Sequence, residues 1–216
     1  MENELAGGLP GRMTLSLLSP LSRSSGYATW LTLRAGDMID LAGYTTGDFQ
    51  RGASRLKEAA WWIVRAMFFQ SALPWPSGLR VGLLRLFGAK VGEGVVIRGQ
   101  VNITFPWRFS AGDHVWIGEE TLILSLAPVA IESNCCISQR AFLCTGSHDF
   151  SSPAFSLRTA PITIKEGSWV AAGAFIAPGV SVGPESMVAA GSVVLADVPA
   201  KVIVRGNPAA VVKQLG

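Results

Sequence analysis

The stretch "LCTGSHDF", Leu143 to Phe150, carries His148, one of two histidines in a chain of 216 residues. Ser147, Asp149, Phe150, Phe155 and Arg158 lie close by in sequence. An imidazole, with a reference pKa of roughly 6.5, can take a proton from a weak nucleophile such as a hydroxyl near neutral pH. The same ring can equally be a loop residue that holds one hydrogen bond. Asp149 has three open roles: orienting His148, contacting a bound molecule, or closing an Asx turn. The other histidine, His114 in "AGDHVW", occupies a turn slot where an exposed polar side chain is expected. Two histidines cannot supply the three imidazoles of a catalytic zinc centre. Cys135, Cys136 and Cys144 are odd in number and two are adjacent, so neither a disulfide framework nor a zinc pattern is written here. A reducing, cytoplasmic compartment is the expectation.

The elements that position His148 announce themselves as a repeat. Val91, Ile97, Ile103; Ala111, Ile117, Ile123; Ile131, Ile137, Leu143; and then Ile164, Val170, Ile176, Val182, Val188, Val194 recur in steps of six. Four places after most of them stands a small or β-branched residue, as in Val95, Thr121, Cys135, Ser168, Ala174 and Ser192. Six is not a helical period, but it agrees with the two-residue alternation of a strand. Each hexad reads as a short strand and a turn: the aliphatic residue fills a narrow solenoid, and the small one leaves room at the bend. Slips of two residues at 103–111 and 123–131 are three hexads apart, which predicts triangular coils with a bulge at one repeated corner. By this reading Cys135 is a core filler. Between Ile131 and Ile164 lie 33 positions where one coil needs 18, so 15 residues are inserted around His148. Inserted loops of that length in a compact domain are usually functional or disordered.

The bulk properties exclude several classes. With 18 Lys+Arg against 15 Asp+Glu, the basic residues are scattered rather than massed, so no nucleic-acid partner is expected. "MTLSLLSPLS" at 13–22 has the length of a signal-peptide core but follows Glu2 and Glu4. The uncharged run 167–184 holds four glycines and two prolines in a hexad rhythm, which argues against a spanning helix.

The hexads, "LRLFGAKVG" at Leu84 to Gly92, "FPWRF" at Phe105 to Phe109, "ISQRAFLCTGSHDF" at Ile137 to Phe150, "APITI" at Ala160 to Ile164 and "RGNPAAVVK" near the end together resemble the hexapeptide-repeat acyltransferases. Within these the match is to the WcaF-like colanic-acid-biosynthesis acetyltransferases, over roughly residue 40 to the C-terminus. The resemblance implies a mainly β fold: a single-stranded left-handed parallel β-helix with an N-terminal helical segment and a short C-terminal helix. It also implies an acetyl-CoA-dependent O-acetyltransferase acting on a sugar in polysaccharide biosynthesis. The enzyme would need no metal, and it would work as a homotrimer with active sites in the clefts between prisms. His148 then corresponds to the family's catalytic histidine, the general base. Where related enzymes hold the acceptor with an asparagine, "TLILSLAP" offers Ser125 instead. The coenzyme is expected along the turns "VAAGAF" and "VAAGSV", at Ala172, Gly173, Ala190 and Gly191. A backbone N–H near Ala172 would serve as the oxyanion donor. An acceptor that is an amino sugar or small metabolite, or a silent scaffold on the same fold, are the alternatives.

The ends follow from local signals. "GNPAAVVKQL" predicts a helix over 207–216 with Asn207 as N-cap, its N-terminus flanked by Arg205 and Lys213 for a coenzyme phosphate, or simply a cap on the solenoid. "SRLKEAAWWIVRAMFF" predicts a helix with two apolar ridges, Leu56, Ala60, Ile63, Met67 and Trp61, Val64, Phe68. One or both would pack on the first coil or on a trimer neighbour; membrane docking aided by Arg80 and Arg85 is the alternative. The expected division is a disordered extension over 1–35, a helical segment over 36–90, the β-helix over 91–206 with an inserted loop at 144–163, and the terminal helix.

Overall fold

The computed structural model describes residues 39–216; the expectations for the 1–35 extension and the 13–22 segment lie outside them. From Lys90 onward the chain winds into coils of three short strands, and like strands stack in parallel into three sheets. Sheet one runs through Lys90–Val91, Phe109–Ala111, Val129–Ile131, Ile162–Ile164 and Ser181–Val182. Sheet two begins with Val96–Ile97, and sheet three with Asn102–Ile103. Partners in successive coils are 20, 20, 33, 18 and 16 residues apart, as in Val91 with Ala111, Ala111 with Ile131, Ile131 with Ile164, Ile164 with Val182, and Val188 with Val204. The fourth spacing is three bare hexads; the first two carry the two-residue bulge and the third carries the insertion. All three extras fall at one corner, where sheet three hands the chain back to sheet one.

The interior is what the hexads predict. Ile97, Ile103, Ile117, Ile123, Ile137, Leu143, Ile164, Val170, Ile176 and Val182 form the buried stack, with Val101, Thr121, Cys135, Ala141, Ser168, Ala174, Ser186 and Ser192 buried at the bends. Buried hydroxyls there need partners. Thr121 donates to Gly118 O, Ser168 to Gly183 O and Ser186 to Pro199 O. Burial pushes the Cys135 thiol up to about 11, as befits a core filler.

Helix α1, Arg55–Val64, starts where the Ser54 hydroxyl accepts from Lys57 N, and continues into a widened turn, Arg65–Phe69; α2 spans Ser77–Leu86. The second ridge packs: Trp61 is buried and donates Nε1–H to Ile103 O, and its ring meets Phe69 and Phe87 at 5.2 Å. Trp61, Phe69 and Leu84 close the open end of the first coil, as a solenoid end requires. The first ridge faces outward, with Leu56, Ile63 and Met67 exposed. Arg80 is buried and donates to Phe68 O, Trp75 O and Ile97 O, while the exposed Arg85 donates to Val91 O and Gly92 O. Among the described residues no helix is long and apolar enough to cross a membrane.

Two expectations are corrected. Residues 207–216 form no helix: Val202–Gly206 joins sheet two and turns into Ala209–Gln214, which pairs antiparallel with it. The upper edge of sheet two offers a row of unpaired backbone groups, and the β-branched pair Val211–Val212 suits a strand that covers it. Residues 39–53 are also not helical beyond the single turn Leu41–Gly43; they form a strap along the outside of the insertion corner.

Candidate active site

The insertion leaves the corner after Phe142–Cys144 as a two-stranded hairpin, Gly146–His148 against Leu157–Thr159. Side-chain hydroxyls staple its base to the coils below. Ser125 Oγ accepts from Phe105 N and donates to Phe105 O, and Thr145 Oγ1 accepts from Ala127 N. Ser125 is therefore not an acceptor-holding group: it is fully buried and spent on Phe105, because the bulged corner leaves backbone groups there without a ladder partner.

His148 is half-buried on the hairpin, and its Nδ1 lies 3.0 Å from Phe155 O. A carbonyl only accepts, so the proton sits on Nδ1 and the lone pair on Nε2. The imidazole stacks on the Phe155 ring at 4.3 Å and 5°, and Tyr44 of the strap closes at 5.8 Å. Phe155 adopts φ +45, a left-handed conformation that turns its carbonyl and ring toward His148. The strap is pinned by Asp40 N to Pro153 O and Leu157 N to Thr45 O. Tyr44 carried no periodic signal by which it could have been found, and Phe155 stood out in the insertion only as an aromatic residue, not as the partner of His148.

Asp149 closes the Asx turn instead of orienting His148. Its Oδ1 accepts from Ser151 N and Ser151 Oγ, and its Oδ2 from Arg158 at 2.6 Å. The Ser151 and Arg158 bonds hold its carboxyl below the usual aspartate range.

Ala172, Gly173, Ala190 and Gly191 stack at a different corner, between sheets two and three, joined by Gly173 N to Gln139 O and Gly191 N to Ala172 O. In the lower coils the same slot holds Gln100, Glu120 and Arg140 at φ 58–59, and in the upper coils Gly173 and Gly191 at φ 67–68. Side chains are thus tolerated by this backbone, so glycine at the upper positions is about clearance. A Cβ added at either glycine would meet nothing within 4 Å. The bare row leaves an open groove along this corner, and for the Ala172 N–H no acceptor is found among the described residues. Arg205 and Lys213 stand on the outer face of the terminal hairpin, above this corner, so any phosphate they meet is met by side chains rather than by a helix N-terminus. Among the described residues no three His, Cys, Asp or Glu side chains converge as metal ligands.

No protein-family model matches the chain. It is 42% identical over 177 residues to WcaF of Escherichia coli K12, a protein its name assigns to colanic acid biosynthesis as an acetyltransferase, covering 82% of this chain and 97% of that one. It is 26% identical over 139 residues to the galactoside O-acetyltransferase of E. coli, covering 63% and 68%. Among solved structures, a hexapeptide-repeat acetyltransferase of Vibrio cholerae complexed with acetyl coenzyme A superimposes with a TM-score of 0.70 at 26% identity, over 83% of this chain and all of the other.

Proposed function

We propose, for a chain that belongs to the WcaF-like hexapeptide-repeat acetyltransferases with their left-handed β-helix and takes acetyl-CoA as acyl donor, that the acceptor is a sugar hydroxyl and that His148 removes its proton. The observation that carries this is the 3.0 Å contact of Nδ1 with Phe155 O: a carbonyl can only accept, so Nδ1 carries a proton and Nε2 of the neutral ring is the nitrogen left to accept one. As the hydroxyl attacks, the ring becomes cationic. The Phe155 carbonyl and the ring beneath it stabilise that charge. The coenzyme supplies an acetyl group activated as a thioester, and the Ala172 N–H donates to the carbonyl oxygen on which charge grows.

The hairpin and the bare row occupy different corners of one prism, separated by the width of sheet three. We infer that they meet between neighbours in a homotrimer. Above Asn102, the outer column of sheet three, Leu122, Phe142, Phe175 and Val193, is apolar and half-buried, which supports packing of prisms. The setting would be exopolysaccharide synthesis of the colanic-acid type, in the cytoplasm where the donor is made. A thiol-release assay over sugars, amino sugars and small amines tests the acceptor class. His148→Ala should lower kcat by roughly 10²- to 10⁴-fold with coenzyme affinity unchanged. A preference for amines, or an active variant, would overturn the assignment.

A further inference from the structure

A cavity of about 220 Å³ opens near the insertion corner two coils below His148, and the chemistry above uses none of its walls, among them Arg51, Glu58, Trp62, Arg65, Thr104 and Trp107. Trp62 is 64% exposed and offers a flat apolar face that α1 does not use for packing. The half-buried Arg65 guanidinium has no carboxylate partner among the described residues, its Nε is buried and unpaired, and desolvation lowers its pKa. Glu58 gives Oε2 to Arg51 at 2.8 Å and leaves Oε1 buried and unpaired. Around that aromatic face the cavity presents guanidinium donors from Arg51 and Arg65 and a carboxylate acceptor from Glu58, a wall that suits a ligand whose groups donate and accept at once. A sugar ring does so through its hydroxyls, while its C–H face stacks on indole. A phosphate or carboxylate would suit Arg65 but would meet the Glu58 carboxylate, and an alkyl chain would find no partner in that charged wall.

The placement gives the distance. Thr104 follows Ile103, which stacks under Ile123 and Leu143, so the cavity lies two strand spacings, about 10 Å, below the base of the hairpin. The strap joins the two sites: Tyr44 touches His148, Phe49 stacks near Phe105, and Arg51 walls the cavity. One pyranose ring cannot reach both. We propose that this cavity is a distal sugar subsite, so that the acceptor is an oligosaccharide of at least two linked units, one presented to His148 and another resting on Trp62. The proposal rests on the sugar-hydroxyl reading of the His148 site.

The test probes an array of mono- to tetrasaccharides with the full chain and coenzyme A, as wild type, Trp62→Ala and Arg65→Gln. Thiol-release kinetics then follow on the best-bound oligosaccharide and on its own terminal monosaccharide. Wild type should select oligosaccharides. Trp62→Ala should raise KM for the oligosaccharide about tenfold with kcat held, and leave the monosaccharide kinetics as they were. Arg65→Gln should move the same parameter in the same direction. Equal wild-type use of both lengths, or equal changes on both acceptors, overturns the subsite and leaves the sugar reading standing. A wild type that binds and acetylates no sugar overturns both.

Discussion

If the hairpin of one subunit works against the bare corner of the next, two inactive variants should repair each other. His148→Ala removes the base. Gly173→Trp places an indole where an added Cβ meets nothing within 4 Å, and so fills the groove rather than the core. The backbone cost of a side chain at φ +67 is about 1–2 kcal/mol. The solenoid already bears that cost at Gln100, Glu120 and Arg140 in the same slot. Neither variant alone should transfer acetyl groups at a useful rate. In a mixed cyclic trimer a site is whole when its hairpin comes from the Gly173→Trp subunit and its corner from the His148→Ala subunit. With equal amounts mixed at random this holds for about one half times one half, or about a quarter, of the sites. Co-expression followed by thiol-release assay at saturating substrates should therefore recover about a quarter of wild-type activity per subunit. Recovery no greater than the two variants give separately would refute the shared site. Full activity in Gly173→Trp alone would refute the groove assignment.

Three further outcomes follow from single residues. Gly183→Ala would push a Cβ to 2.6 Å from Ala200 N and Pro199 C, backbone atoms of the next coil that cannot swing aside, and should cost about 1–3 kcal/mol in urea denaturation. Asp149, with its pKa lowered by Ser151 and Arg158, stabilises the hairpin at every pH above the ordinary aspartate value of about 3.9 and loses that contribution as pH falls through the lowered value. Hydrogen exchange across 146–159 should thus stay protected from neutral pH down to about 4 and rise below it, whereas Asp149→Asn should exchange faster at pH 7 and lack the acid step. Cys135 and Cys144, buried and with thiols pushed up by that burial, should resist a thiol reagent in the native state and react on unfolding; labelling of either before unfolding would contradict their place in the stack.

The difference between what was legible and what was not has a physical cause. An inward slot of a narrow solenoid admits one class of side chain, so Ile97, Ile117 and Ile137 report the coil directly, and the surplus between Ile131 and Ile164 reports the insertion as a plain excess of length. Local signals misled where tertiary demand was stronger. Asn207 and Pro208 satisfy the rule for a helix start, yet the unpaired edge of sheet two captured residues 209–214 as a strand. Ser125 was legible as the polar residue at the right corner but not as a staple, because that role depends on Phe105 sitting one coil below. The strap was invisible for the same reason: Tyr44 has no period of its own, only a partner more than a hundred residues away.

The last two cases, Ser125 and the strap, meet at one corner. Bulges at 103–111 and 123–131 interrupt the regular hexad there, so the chain must satisfy its polar groups with Ser125, Thr145 and the strap instead of with identical turns. A corner already closed by side chains can lengthen without unravelling the sheets on either side, since the strands flanking the insertion still pair in register, Ile131 with Ile164 and Leu143 with Ile176. The insertion therefore falls where the solenoid tolerates it at least cost, and the two corners built of regular turns keep their turn-to-turn hydrogen bonds. On this argument, moving the 144–163 insertion to either regular corner would break turn-to-turn hydrogen bonds such as His114 N to Glu93 O or Arg140 N to Glu119 O, with nothing to replace them.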